Sequence, residues 1–101
     1  MEIKTTSIHF NADQKLLLFI DKKVGKLNQY FDRIIDTNVY LKLENSGQVR
    51  DKIVELKVNV PGDTLVATEK SNSFEAATDQ VVDTMRRQLL KYKNRYKHRP
   101  A

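Results

Sequence analysis

The side chains of this sequence that are best suited to chemistry are cations near its C-terminal end. Residues 84 to 99 contain seven Arg or Lys and no acid. Residues 1 to 83 contain 11 basic and 13 acidic side chains, so +7 and −2 add up to the formal net charge of +5. Guanidinium and ammonium groups at this density bind phosphate oxygens. The pattern predicts a polyanionic partner, with nucleic acid favoured over an anionic membrane surface.

Helix electrostatics explains part of this order of charges. Cations near the C-terminal end of a helix and acids near its N-terminal end complement the helix dipole, by about 0.3 to 1 kcal/mol each. The effect fades beyond the last turn, and like charges four residues apart, such as Arg87 and Lys91, repel each other. Helix stabilisation therefore does not account for seven cations, and a binding role for the segment is favoured.

The sequence contains no recognisable catalytic constellation. It has no cysteine, and its two histidines, His9 and His98, lie at opposite ends of the chain. The acids are dispersed, and neither a Gly-rich phosphate loop nor a nucleophile elbow occurs. We therefore predict a protein that is not an enzyme and that needs no cofactor, no metal and no small-molecule substrate.

Length and hydropathy predict one domain that spans residues 1 to 101. A chain of 101 residues is large enough for a modest core. The N-terminal residues lack the apolar run of a signal peptide, and no apolar stretch is long enough to cross a bilayer. The absence of cysteine also suits a reducing compartment. We therefore expect a cytoplasmic protein without a membrane partner.

The basic segment forms the second half of a predicted amphipathic helix, which begins at Asn72 or Ser73 and ends before Pro100. Asn72 fits a capping box, and Ser73 is the alternative cap. Residues at intervals of 100° form one broad apolar stripe: Phe74, Ala77, Thr78, Val81, Val82, Met85, Leu89, Tyr92 and Tyr96. Because Tyr92 and Tyr96 belong to this stripe, packing is favoured over base stacking for both rings.

A second amphipathic helix is predicted after a first strand over residues 2 to 9. Asn11, with Gln14 three residues later, is the predicted cap. An apolar face repeats at helical spacing through Leu16, Ile20, Val24, Leu27 and Phe31. A basic stripe consists of Lys15, Lys22 and Lys26, and Lys23 lies between that stripe and the core. A solvated face is the simplest interpretation of the basic stripe.

Alternation of apolar and polar residues predicts three further strands, over residues 39 to 44, 53 to 60 and 64 to 70. In the first of these, Val39, Leu41 and Leu43 are expected to face the core. Pro61-Gly62-Asp63 predicts a tight turn between the last two strands, which implies a hairpin.

The elements follow the order β-α-β-β-β-α, which predicts an α+β fold. A right-handed crossover makes the first two strands parallel, and hairpins add the third and fourth strands antiparallel. The result is a four-stranded mixed sheet with both helices packed on one face and the other face open to water. This arrangement is similar to that of a double-stranded-RNA-binding domain.

Both helices also carry the motifs of a known family. In the long helix, paired alanines precede an Asp (Ala76, Ala77 and Asp79), and an apolar residue, Met85, follows. A basic residue with Gln (Arg87 and Gln88) and two lysines around a tyrosine (Lys91, Tyr92 and Lys93) complete the motif. In the first helix, Lys23, Lys26 and Leu27 match the pattern K-x-x-K-L. Over nearly its whole length the chain resembles short ribosome hibernation-promoting factors, which are related to the ribosome-associated inhibitor and sigma-factor modulation proteins.

Three positions depart from the pattern of this family. Thr78 stands where an aliphatic residue is usual, and Ser73 stands where an Asp usually begins the helix. Thr84 stands where a Lys is common. The substitution at Thr84 removes one expected RNA-facing cation from the middle of the helix.

The resemblance implies a bacterial translation regulator that binds the small ribosomal subunit and 16S rRNA. It would occupy the decoding channel between head and body, exclude messenger RNA, transfer RNA and initiation factors, and stabilise inactive ribosomes in stationary phase or stress. The candidate rRNA-binding residues are Lys23, Lys26, Arg86, Arg87, Lys91, Lys93, Arg95 and Lys97. Because the sequence ends at Ala101, we expect no linker, C-terminal dimerisation domain or extended tail, so pairing of 70S particles would require a second factor or a ribosomal rearrangement.

Two other functions are compatible with the residues. A double-stranded RNA-binding domain has a similar αβββα order, so a module that binds A-form RNA off the ribosome is the first alternative. A regulatory protein-interaction module whose basic helix binds an acidic partner is the second. Copurification with small ribosomal subunits, with free RNA or with a protein distinguishes the three.

Overall fold

A computed structural model describes residues 1 to 46 and 49 to 97, without the side chains of residues 45, 46, 49, 50 and 97. The strands and helices are β1 (Glu2–Ser7), α1 (Gln14–Gly25), β2 (Asp36–Ser46), β3 (Val49–Val60), β4 (Asp63–Ser71) and α2 (Phe74–Lys97). A short 3₁₀ helix, Lys26–Gln29, continues directly from α1. The predicted order of elements is confirmed.

The four strands form one mixed sheet in the order β1-β2-β3-β4. β1 pairs parallel with β2, whereas β2 with β3 and β3 with β4 are antiparallel. The predicted tight turn joins β3 to β4, and Gly62 there has a φ of 77°. Glycine adopts this left-handed conformation without the steric cost that a β-carbon brings. The topology agrees with the prediction in full.

The core lies between one face of the sheet and the two helices. α1 and the 3₁₀ helix contribute Ile20, Val24 and Leu27 to it, all fully buried. The predicted stripe of α2 is confirmed, since the helix contributes Phe74, Ala77, Val81, Met85, Leu89 and Tyr92 to the core. From the sheet come Val39, Leu41, Val54, Leu56, Val58, Val60, Leu65 and Ala67. Because both helices bury their apolar stripes on one face of the sheet, the polar faces of both helices point away from the sheet into solvent.

The prediction that Leu43 faces the core is wrong, because its side chain is 42% exposed. The pairing of β2 with β1 ends at Leu41, whereas the pairing of β2 with β3 continues beyond Leu43. Strict alternation therefore extends past the part of the sheet that has a core above it. Leu43 lies beyond the end of β1, where β3 is the only strand that pairs with β2 in the described residues.

The two helix caps also differ from the simplest expectation. The predicted cap at Asn11 is wrong, since the backbone N–H of Leu16 donates to Oδ1 of Asp13 at 2.8 Å. For α2 the alternative is correct, because the backbone N–H of Ala76 donates to Oγ of Ser73 at 3.1 Å. A capping side chain must directly precede the first helical residue to reach these N–H groups. Asp13 and Ser73 meet that condition.

Thr78 is a weak point in the core. Its hydroxyl is the one buried side-chain polar atom without a hydrogen-bond partner among the described residues. An unsatisfied buried hydroxyl costs about 1 to 3 kcal/mol, and valine has nearly the same shape without that group. We therefore expect Thr78→Val to raise the melting temperature. Thr78→Ser keeps the hydroxyl and loses the methyl group, so it should melt below the parent protein, and a lower melting temperature for Thr78→Val would contradict the assignment.

Candidate nucleic-acid interface

α2 holds its cations in two rows along its solvent-facing side. We call Arg87, Lys91 and Arg95 the outer row, because they recur every four residues and all three are exposed. Arg86 and Lys93, seven residues apart, are half-buried, and we call them the seam row. Residues four and seven apart lie on one side of a helix, so each row is a line of charge with fixed spacing.

The seam row faces the segment that follows α1. The guanidinium of Arg86 lies 5.9 Å from the ring centroid of Tyr30, within the range of a cation–π contact. Earlier along α2, the ammonium of Lys23 lies 3.5 Å from the carboxylate of Asp79. Candidate cations from the first helix and from α2 therefore lie on either side of one helix–helix seam, although they are far apart in the sequence.

Asp83 partly neutralises the start of the basic segment. Its two carboxylate oxygens bind Arg86 at 3.0 Å and Arg87 at 2.8 Å. The hydrogen bond from Arg86, with the charge of Arg87, lowers the pKa of the Asp83 carboxyl below its usual value. A lowered carboxyl pKa means that this ion-pair stabilisation is present at neutral pH and is lost as pH falls through the lowered value. Both arginines are thus held in place by one acid.

The remaining candidate cations have no such acidic partner. Among residues 1 to 46 and 49 to 97, no carboxylate lies within ion-pair distance of Lys26, Lys91, Lys93 or Arg95. The side chain of Lys97 is outside the described part of the structure. Among the candidate cations, those without an internal ion-pair partner therefore lie mainly in the last three turns of α2, where an external anion can approach them.

Arg33 is a cation near this surface that the sequence did not indicate. Its guanidinium donates a hydrogen bond to the hydroxyl of Tyr96 at 2.8 Å and lies 5.8 Å from the centroid of that ring. Phe31 packs edge-on against Tyr96 with centroids 5.8 Å apart. No local pattern relates residues so distant in the chain. Their contact attaches the loop after the 3₁₀ helix to the end of α2.

Thr84 connects α2 to the sheet. Its hydroxyl donates to Oε2 of Glu69 at 2.9 Å. One turn further on, the side-chain amide of Gln88 donates to the carbonyl of Val66 at 2.9 Å. This side of α2 is therefore held on strand β4.

The described residues contain no group of three or more His, Asp or Glu side chains placed to hold a metal ion. Within the same part of the chain, no helix has the length and apolar character needed to cross a membrane.

Residues 3 to 97 match the family described as sigma 54 modulation protein / S30EA ribosomal protein. The chain belongs to this family. A ribosome hibernation promoting factor of Escherichia coli (strain K12) is 32% identical over 97 residues, which cover 96% of this chain and 98% of that protein. A ribosome hibernation promotion factor of Deinococcus radiodurans is 35% identical over 79 residues, and the match spans 77% of this chain but only 41% of that longer relative.

Solved structures confirm the fold of this S30EA family member. A ribosomal subunit interface protein from Coxiella burnetii superposes with a TM-score of 0.84 at 24% identity, over 93% of this chain and 99% of that one. The N-terminal domain of Thermus thermophilus Protein Y gives a TM-score of 0.78 at 25% identity, over 91% of this chain and 99% of that one. The resemblance inferred from the helix motifs is therefore confirmed, whereas the individual rRNA-binding residues stay a prediction.

Proposed function

We propose that the protein binds the small ribosomal subunit through 16S rRNA and occupies its decoding channel. There it excludes messenger RNA and transfer RNA, and it keeps ribosomes inactive in stationary phase or stress. The names of the relatives, hibernation factors and a ribosomal subunit interface protein, support this function. The chain acts in the cytoplasm as a single domain, by occupancy, without a catalytic step, a cofactor or a small-molecule substrate.

The observation that carries the proposal is the unpartnered charge at the end of α2. In the described part of the chain, no carboxylate lies within ion-pair distance of Lys91, Lys93 or Arg95. Successive members of the outer row are separated by about 6 Å along the helix axis. Folded RNA presents closely spaced phosphates, and proteins recognise its A-form helices mainly through shape and backbone contacts. A rigid row of cations suits such a surface without any need to read bases.

Stoichiometric inhibition of translation is the expected activity. When the protein is added to a cell-free translation reaction, initiation should fall in proportion to the fraction of small subunits that carry it. Excess messenger RNA should compete, because both ligands need the same channel. Undiminished translation with saturated subunits would contradict occupation of the channel, and binding to free A-form RNA but not to subunits would favour the alternative function off the ribosome.

Lys23 in α1 and Lys26 in the 3₁₀ helix are expected to contribute to the same interface. We expect Lys23→Gln combined with Lys26→Gln to weaken subunit binding about as much as Arg87→Gln combined with Lys91→Gln. Each pair removes two positive charges, and both pairs belong to the solvent-facing side formed by the two helices. Glutamine is chosen because a glutamate at position 23 would face Asp79, which now lies 3.5 Å from the ammonium. Sedimentation with purified subunits at fixed salt is the measurement.

A matched control is available on the other face of the sheet. Lys4 and Lys57 lie in one cross-strand row through Asn38, and both are exposed. Lys4→Gln with Lys57→Gln removes the same charge and should leave binding nearly unchanged. If the Lys23, Lys26 variant binds like this control, the interface is confined to α2.

A further inference from the structure

A cleft between α2 and strand β4 reaches the turn that joins β3 to β4, and it has two parts. The wide part encloses about 410 Å³ and is lined by Leu65, Gln88, Lys91, Asn94 and Arg95. The narrow part encloses about 250 Å³ and is lined by Pro61, Gly62, Asp63, Tyr92, Arg95 and Tyr96. Arg95 lines both parts, so they adjoin at that side chain. The wide part alone falls within the range of small-molecule sites, about 300 to 1,000 Å³.

The wide part has the chemistry of a phosphate site. Lys91 and Arg95 are both exposed, and neither has an acidic partner in the described part of the chain. The side chain of Gln88 is held by its hydrogen bond to the carbonyl of Val66 at 2.9 Å, so this wall is ordered. Two cations on one side of an ordered cleft favour a dianionic group such as phosphate.

The narrow part has a different polarity. Asp63 brings a carboxylate, and its Oδ1 accepts a hydrogen bond from the backbone N–H of Thr64 at 2.8 Å. Its other oxygen is an acceptor for a ribose hydroxyl or a base N–H, whereas it would repel a second phosphate. Gly62 has no side chain to fill the space above the turn. This end therefore suits the neutral, hydrogen-bonding part of a ligand.

Aromatic side chains form the wall of the narrow part, and their positions are fixed. The hydroxyl of Tyr92 donates to the carbonyl of Pro61, and its ring lies 5.9 Å from that of Tyr96. Arg33 holds the hydroxyl of Tyr96 from the side of the loop. Aromatic rings held in this way offer a surface against which a nucleobase or a ribose can pack.

We propose that this cleft binds a nucleoside phosphate. The phosphate lies between Lys91 and Arg95, and the nucleoside lies against Tyr96 with Asp63 as its hydrogen-bond acceptor. A simple anion would use only the wide part, and an apolar ligand would leave the charged groups unpaired, so a ligand with one anionic and one neutral polar end fits best. The same chemistry has two sources, an unpaired nucleotide of bound rRNA or a free nucleotide. The first source rests on the function proposed above, and the second does not.

A titration of the isolated ¹⁵N-labelled protein tests the cleft directly. Adenosine, guanosine, cytidine and uridine monophosphates should each be tried, with inorganic phosphate and adenosine as partial ligands. A mononucleotide should give saturable NMR shifts in two groups of residues: first, residues 61 to 64 with Tyr92 and Tyr96 at the narrow part, and second, residues 88 to 91 at the wide part. Phosphate should shift only the second group, and adenosine mainly the first. The absence of saturable shifts with all four mononucleotides would overturn the proposal.

Three single variants distinguish a specific binding site from non-specific electrostatic attraction. Lys91→Gln should lower mononucleotide affinity about tenfold through the lost charge-assisted hydrogen bond, and it should weaken phosphate binding as well. Asp63→Ala should also lower mononucleotide affinity about tenfold, yet leave phosphate binding equal or slightly tighter. Lys57→Gln, on the opposite sheet face, should change neither. Equal losses of mononucleotide affinity in Lys57→Gln and Lys91→Gln would overturn the proposed site.

Sedimentation of the same variants with small subunits identifies the source of the ligand. If Asp63→Ala and Lys91→Gln both bind subunits more weakly than Lys57→Gln does, the ligand is a nucleotide of the bound RNA. If both variants lose affinity for the mononucleotide but cosediment with small subunits as well as Lys57→Gln does, the ligand is a free nucleotide. Failure of the unaltered protein to bind subunits would instead contradict the function proposed above, and the titration of the isolated protein would still report on the cleft.

Discussion

Raising the salt concentration from 50 to 200 mM is expected to weaken binding to purified small ribosomal subunits by about a thousandfold. α2 carries six Arg or Lys between Arg86 and Lys97. Each phosphate contact contributes roughly 0.7 to 0.9 to the slope of log affinity against log salt, because it releases condensed counterions. The six cations of α2 alone give a slope of about −4 to −5, which a fourfold rise in salt converts into a loss of that order, and contacts made by Lys23 and Lys26 would make the slope steeper.

The ion pairs within the protein determine the weakest salt dependence of subunit binding that we expect. Arg86 and Arg87 already bind Asp83, so an RNA phosphate would have to share them with that acid. If Arg86 and Arg87 contact no phosphate, four cations of α2 remain, so the slope falls to about −3 to −4 and the loss to about 50- to 150-fold. A salt titration of subunit binding distinguishes these cases. Lys93→Gln should reduce the slope by about 1 whereas Lys57→Gln should not, and a slope near zero would exclude electrostatics as the main contribution.

Replacing Leu89 by alanine is expected to lower the free energy of unfolding by about 2 to 5 kcal/mol. Leu89 is fully buried between α2 and the sheet, so the substitution removes packed methyl groups and leaves a cavity. Val81→Asp should go further and abolish folding, because it places an unpaired charge at a position with 0% exposure. The net stability of a small domain is only about 5 to 15 kcal/mol.

Leu90 provides a matched control for the core prediction. It is the next residue along the same helix, but it is 37% exposed, so Leu90→Ala makes the same chemical change with a much smaller expected cost. Arg87→Gln should stay within about 0.5 kcal/mol, because it breaks only a solvent-exposed ion pair with Asp83. Urea unfolding followed by circular dichroism measures all four variants. Equal losses for Leu89→Ala and Leu90→Ala would contradict the orientation of α2.

Periodicity in the sequence was enough to predict the architecture, because burial repeats with the geometry of each element. The stripe from Phe74 to Tyr96 recurs at helical spacing, and the structure buries it as predicted. Alternation over residues 53 to 60 likewise places Val54, Leu56, Val58 and Val60 in the core. The predicted tight turn at Gly62 and the motifs of the two helices were also local signals, and both are confirmed.

Local signals were less reliable where an element ends. Alternation continues through Leu43, yet the neighbouring strand β1 stops pairing at Leu41, and the sequence of β2 carries no sign of that boundary. Asn11 and Asp13 are both good capping residues, and only the first helical residue, Gln14, decides between them. The first case depends on where the neighbouring strand ends and the second on where the helix begins, and neither boundary is visible in the local pattern.

By itself the sequence determined that the chain has a basic C-terminal helix, a β-α-β-β-β-α order and the motifs of its family. Only the tertiary structure decided which cations are paired, since the contacts of Lys23 with Asp79 and of Arg33 with Tyr96 join positions far apart in the chain. The juxtaposition of Asp63 with Arg95 in one cleft has the same origin. A periodic pattern records which side of an element is buried, but the partner that each exposed charge meets depends on how the helices lie across the sheet.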